Sequence, residues 1–93
     1  MLKVNEYFGG NVKSIALENV EGVATVGIME PGEYEFGTAT IEHMTIVSGM
    51  LEAMLPGESV WTMYLKGETF VVAKDVRFKV KTEGQVAYYC LYL

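Results

Sequence analysis

Two stretches of the chain alternate between apolar and polar residues strictly enough to define strands. In Glu33-Tyr34-Glu35-Phe36-Gly37-Thr38 the rings fall on one face and the carboxylates on the other. In Val76-Arg77-Phe78-Lys79-Val80-Lys81 the apolar set faces one way and three cations the other. Looser runs rich in β-branched and aromatic residues predict further strands at 12–20, 23–29, 44–47, 50–55, 60–64, 69–72 and 85–93. Residues 2–4 are a candidate edge strand. Breakers separate the runs at Glu21-Gly22, Pro31-Gly32, Ser48-Gly49, Pro56-Gly57, Lys66-Gly67 and Glu83-Gly84. Strands at this spacing predict an all-β chain, one closed or nearly closed antiparallel barrel of the jelly-roll kind.

One segment competes for helix. Ile41, Met44, Leu51 and Met54 fall near helical spacing. Against them stand the β-branched Thr45-Ile46-Val47, Pro56 at the end, and Gly49, which inside a helix costs about 1 kcal/mol relative to Ala. The expectation is therefore a hairpin: strand 43–48, a turn at Ser48-Gly49, strand 50–55.

Composition narrows the class. At 93 residues and 51% hydrophobic content the chain makes one domain, residues 1–93. Seven Lys+Arg against 12 Asp+Glu, net −5, oppose a nucleic-acid partner, which calls for a basic face. Cys90 is the single cysteine, so neither an internal disulfide nor a CxxC site can form. No apolar run approaches the roughly 20 residues of a membrane span, and the first residues lack the apolar stretch of a signal peptide. A cytoplasmic protein without a membrane partner is expected.

Familiar catalytic signatures are missing: there is no GxSxG, no GxxxxGK[ST], no HExxH, and no GxGxxG opening a helix. His43, the only histidine, reads as a solvated strand residue on the face opposite Met44. Cys90 alternates with Tyr88 and Tyr92 and reads as core filling, because a reactive thiolate needs a cationic neighbour and solvent. The six methionines scatter over several strands, as packing residues do. Glu33, Glu35, Glu52, Glu58, Glu68 and Glu83 read as surface charge. Glu42 differs in standing between an alternating strand and a β-branched run, where a connection re-enters the barrel.

Residues 32–49 resemble the first motif of the cupins, in which a glutamate precedes a glycine by seven positions, as Glu42 precedes Gly49. The cupin histidine pair would fall at Phe36 and Thr38, and the histidine of the second motif at Phe78. A divalent transition metal takes three or four N, O or S ligands, and Glu42 alone cannot hold one, so the pattern resembles a metal-free, RmlC-like cupin. Asn5-Glu6-Tyr7-Phe8, Val12-Lys13-Ser14-Ile15, Gly32-Glu33-Tyr34, Phe36, Thr38-Ala39, Glu42-x-Met44-Thr45, Ser48-Gly49, Leu55-Pro56 and Tyr92-Leu93 are similar to the small pyrimidine/purine nucleoside phosphorylases, from the first residues to the last. Two positions depart from that family's habit: Ala73, where a proline is common, and Leu91, where some members carry a cation.

The resemblance implies a broad-specificity, metal-independent pentosyltransferase. Nucleoside plus phosphate would give free base plus α-ribose 1-phosphate, with no cofactor beyond phosphate as co-substrate and with a homodimer as the assembly. By cupin analogy Glu42 points inward, to stabilise the positive charge of an oxocarbenium-like sugar or to hold ribose hydroxyls. Tyr34, Phe36, Phe78 and Tyr88 would line the same cavity and stack on the base, with core packing as the plainer alternative for each. Thr38 would donate to sugar or phosphate. Lys13 is the cation proposed for phosphate, although its place in a strand suits a surface lysine equally well; Arg77 falls on the outward face of its strand. Backbone amides near Gly37 or Gly49 are another anion cradle. A noncatalytic cupin that binds a sugar or nucleotide shares the aromatic cavity. A metal-dependent dioxygenase or isomerase is opposed by the missing histidines.

Overall fold

Alternation, β-branched content and glycine turns produce ten strands in a computed structural model describing residues 1–93. In chain order they are β1 (Val4–Tyr7), β2 (Val12–Asn19), β3 (Gly22–Met29), β4 (Gly32–Gly37), β5 (Glu42–Ser48), β6 (Leu51–Met54), β7 (Thr62–Tyr64), β8 (Thr69–Val72), β9 (Arg77–Thr82) and β10 (Val86–Tyr92). A short 3₁₀ turn, Phe8–Gly10, joins β1 to β2. No helix is long and apolar enough to cross a membrane.

The strands form two sheets, ordered β1-β2-β3-β10-β5-β8 and β4-β9-β6-β7, antiparallel throughout. Period-2 alternation sends one face of each sheet into a shared core, where Met29, Ile46, Leu51 and Val80 are among the fully buried side chains. This is a cupin-type jelly roll, as expected, but not a closed barrel. No ladder joins β1 to β4 where the sheets meet. Rings bridge that gap instead: Tyr7 and Phe8 meet Phe36 edge-on, at centroid distances of 6.2 and 5.4 Å. Side chains of that size hold the edges further apart than the roughly 4.8 Å of a hydrogen-bonded pair.

A second expectation also needs correcting. Both strands of the 43–55 segment exist, but they do not form a hairpin: β5 pairs with β10 and β8, and β6 with β9 and β7. The Ser48-Gly49 turn carries the chain from one sheet to the other. Gly49 has φ +90°, and a Cβ there would lie 2.8 Å from the Gln85 carbonyl oxygen. The chain therefore turns hard against the start of β10, leaving no room for a β5–β6 ladder. Ile46 and Leu51 both end up buried in the core, from different sheets.

Candidate active site

Glu42 opens β5 in register with Tyr92 of β10 and Val72 of β8. Alternation turns Glu42, Met44 and Ile46 inward and leaves His43 on the outer face. Inward at this end lies a cavity of about 590 Å³, lined by Phe36 of β4, Phe78 of β9, Glu42, and Tyr88, Cys90 and Tyr92 of β10, with Tyr7 and Phe8 closing one side. That volume is in the range of small-molecule sites, about 300–1,000 Å³. The core is not packed solid beside the carboxylate.

The electrostatics of the cavity are acidic and donor-rich. Partial burial raises the pKa of Glu42 above the ordinary carboxylate value, because the charged form loses water; the Cys90 thiol, donating to Oε1 at 3.4 Å, acts in the opposite direction. Burial, with the Glu42 charge beside it, pushes the Cys90 thiol far up, so it stays protonated. Burial chiefly, then Cys90, pushes Tyr88 up to about 12, so its phenol also stays a donor. Tyr92 is raised by burial, and its hydroxyl shares a 2.9 Å hydrogen bond with Thr25 Oγ1.

Of the residues singled out in the sequence, Glu42, Phe36, Phe78 and Tyr88 meet in this cavity. Phe36 and Phe78 lie 5.9 Å apart with planes at 32°. Tyr34 does not line it. Buried behind the wall, its ring sits 5.0 Å from that of Phe8 and its hydroxyl donates to the Glu30 carbonyl at 2.7 Å. Nor does Thr38. Its hydroxyl donates to the Ala73 carbonyl at 2.7 Å and accepts from Val76 N–H at 3.1 Å, while its backbone N–H donates to Val76 O. Thr38 thus ties down the 73–76 connection, and its proton is already used.

Lys13 stands on the exposed face of β2, paired with Glu6 at 3.3 Å, outside the cavity. Gly49 lies apart as well, while Gly37 lines the cavity. Leu91 alternates out of the cavity wall that Cys90 and Tyr92 form, so a cation at that position would face away from Glu42.

Three contributors went unseen in the sequence reading. Tyr92 shares the period of Tyr88 and Cys90, a signal that was available. Tyr7 ends β1 and Phe8 opens the 3₁₀ turn after it, with Phe8 at φ 55° and Gly9 at φ 67°, which no alternation announces. Arg77 faces outward and does not line the cavity, but its Nε donates to Oε2 of Glu35, a lining residue, at 2.6 Å, holding Glu35 below the usual carboxylate range. It stands opposite Gly37, where a Cβ would meet its guanidinium at 3.3 Å. Glu35 and Gly37 both line the cavity.

Metal ligation, the common use of a cupin cavity, does not fit these residues. Two of the positions that would supply imidazoles hold Phe36 and Phe78, the third holds the occupied hydroxyl of Thr38, and no three His, Cys, Asp or Glu side chains converge anywhere.

Two antiparallel sheets enclosing a cavity with one inward glutamate define a cupin-type jelly roll. An RmlC-like cupin from Shewanella frigidimarina superposes with a TM-score of 0.75 at 21% identity, covering 96% of this chain and 80% of the other. A crystal structure of a protein of unknown function from Vibrio parahaemolyticus superposes with a TM-score of 0.95 at 42% identity, covering 100% and 99%. The family model for pyrimidine/purine nucleoside phosphorylase matches residues 2–92. A Pseudomonas putida protein of that description is 55% identical over 92 residues, 99% of this chain and 98% of its own. The chain belongs to the pyrimidine/purine nucleoside phosphorylase family.

Proposed function

We propose that the cavity beside Glu42 is the site of phosphorolysis of purine and pyrimidine ribonucleosides, without a metal or other cofactor. The observation that carries this reading is the meeting, in one open cavity, of a half-buried carboxylate with two aromatic walls. As the glycosidic C–N bond breaks, its electron pair leaves with the base nitrogen and C1′ becomes positive. An ionised Glu42 beside it, in a site with little water, stabilises that charge more strongly than solvent would. An oxygen of monohydrogen phosphate then bonds to C1′ from the face opposite the base, and the proton it gives up neutralises the departing base nitrogen, so a β-nucleoside yields free base and α-ribose 1-phosphate. Stacking on Phe36 and Phe78 contributes about 1–3 kcal/mol per base and is indifferent to base identity, which supports broad specificity. The Tyr88 phenol is available to donate to the sugar or the base.

No Lys or Arg lines the cavity itself. The cation assigned to phosphate is Arg77, whose exposed partner Glu35 belongs to the cavity lining and can be exchanged for a substrate anion. The assembly proposed is a homodimer, supported by the apolar outer row that Val4, Ile15 and Val26 form in register across β1, β2 and β3.

The test is base release from uridine, adenosine and inosine with and without phosphate. Release is expected only with phosphate, and Arg77→Gln is expected to raise the KM for phosphate about tenfold while leaving that for nucleoside nearly unchanged, since one charge-assisted contact is lost. No release across the panel contradicts the proposal. The aromatic and acidic lining favours one second reading, a nucleoside-binding cupin without turnover, which thermal stabilisation by nucleosides in the absence of base release would support.

A further inference from the structure

Cys90 is nearly inaccessible, 1% exposed, and the thiol has no cationic neighbour to make it a nucleophile. Packing alone does not explain its place. Cys90 lies on the inward face of β10, one alternation step from Tyr92, which stands in register with Glu42. Its Sγ donates to Oε1 of Glu42 at 3.4 Å, the one side-chain hydrogen bond that the carboxylate receives. A carboxylate in a partly dry cavity needs donors to remain charged and to keep one rotamer.

The geometry points to Cys90 as the positioning residue of the site: its thiol fixes the carboxylate of Glu42 toward the cavity and, as a hydrogen-bond donor, favours its charged form. The reaction side of this inference rests on the phosphorolysis reading; the contact itself does not. No covalent step on sulfur is involved, and the thiol keeps its proton throughout. A thiol suits the position because its long C–S bonds and weak donor let it lie in an apolar wall without the desolvation cost of a hydroxyl.

The other groups facing Glu42 are uncharged or distant in role. From β10 come Tyr88 and Tyr92, both raised in pKa and so neutral. Tyr7 closes the far side, and Ser14 of β2 is also in the lining. Across the mouth, Glu35 is neutralised by Arg77. Val72 of β8 and Phe78 of β9 carry no charge, and His43 faces the opposite side of the sheet. The thiol is thus the nearest lever on the carboxylate.

The test compares the wild-type protein with Cys90→Ser, which keeps a donor, and Cys90→Val, which fills the space without one; Cys90→Ala serves as the second donor-free variant if valine crowds the wall. Two quantities are followed against pH: the side-chain carboxyl ¹³C shift of Glu42, assigned by its loss in Glu42→Gln, and kcat/KM for phosphate-dependent base release. Losing the donor disfavours the charged carboxylate. In the donor-free variants Glu42 is expected to titrate at higher pH than in the wild type. The acid limb of kcat/KM moves with it, so that activity on that limb falls about tenfold for each pH unit of displacement. Cys90→Ser restores both. Identical Glu42 titration in all variants overturns the inference, as does an equal displacement in the serine and donor-free variants. A wild-type protein that releases no base, yet whose Glu42 titration moves as described, refutes the phosphorolysis reading and upholds the contact.

Discussion

Replacing Glu42 by Gln is expected to lower the turnover of phosphate-dependent base release by about two orders of magnitude, the effect of deleting one preorganised group from a charge-stabilising site. Glutamine has nearly the same shape and its amide oxygen still accepts from the Cys90 thiol, so the cavity persists and only the charge is gone. The direction of the Glu42 pKa shift adds two consequences. Since burial raises it, the ionised form is reached at higher pH than for an ordinary glutamate, and the acid limb of activity in the wild type lies correspondingly high. A carboxyl that binds its proton more tightly in the folded state than in the unfolded state makes folding less favourable as pH rises through that window. Glu42→Gln removes the penalty, so at neutral pH its Tm is expected to equal or exceed that of the wild type. Unchanged turnover in a variant that melts normally would make Glu42 a structural residue; a fall in turnover with a collapsed Tm would mean that the carboxylate holds the fold.

Gly27→Ala is expected to be among the most damaging single-methyl changes in the chain. Gly27 of β3 stands in register between Ser14 of β2 and Tyr88 of β10, and the Tyr88 ring folds over it. A Cβ there would lie 2.6 Å from both Cζ and the hydroxyl of Tyr88, and 2.8 Å from the main-chain oxygen of Lys13. The phenol can swing away; the Lys13 carbonyl, fixed in its ladder, cannot without distorting the sheet. Overpacking of this kind costs about 1–3 kcal/mol, which in a domain of this size lowers Tm by roughly 4–8 °C per kcal/mol. The displaced phenol also enters the cavity, so nucleoside KM is expected to rise about tenfold. Gly84→Ala is the control: a Cβ there meets nothing within 4 Å, and its effect should stay within about 0.5 kcal/mol. Equal melting and equal KM for the two variants would show that Tyr88 does not depend on the empty space above Gly27.

The strands were legible wherever one face is buried and the other wet. The aromatic–carboxylate alternation of β4 and the apolar–cation alternation of β9 each appear where they were expected, and the two strands pair, setting Phe36 directly against Phe78. Alternation states which residues share a face but not which strand lies alongside, and for that reason the Ser48-Gly49 turn was mistaken for a hairpin. What decided it was the main chain at Gln85, 36 residues further on, pressed against Gly49. The site divided in the same way. Phe36, Phe78 and Tyr88 lie at positions of expected strands, while the inward orientation of Glu42 was expected only by cupin analogy, since the strand expected there begins at residue 43. The hydroxyl of Thr38 is spent on Ala73 and Val76, partners that no local pattern identifies. Arg77 was read as outward, as it is; that its guanidinium lies over Gly37, where a Cβ would meet it at 3.3 Å, and pairs with Glu35 is not stated by any local pattern.

A crystal structure with a nucleoside bound would bring the matter to a decision. The ribose is expected within hydrogen-bond distance of the Glu42 carboxylate, with the base against Phe36 and Phe78 and the open face of C1′ turned toward the Glu35–Arg77 pair. A nucleoside seated elsewhere on the protein, or a cavity that stays filled with solvent at saturating nucleoside, would contradict the assignment of this cavity to the reaction.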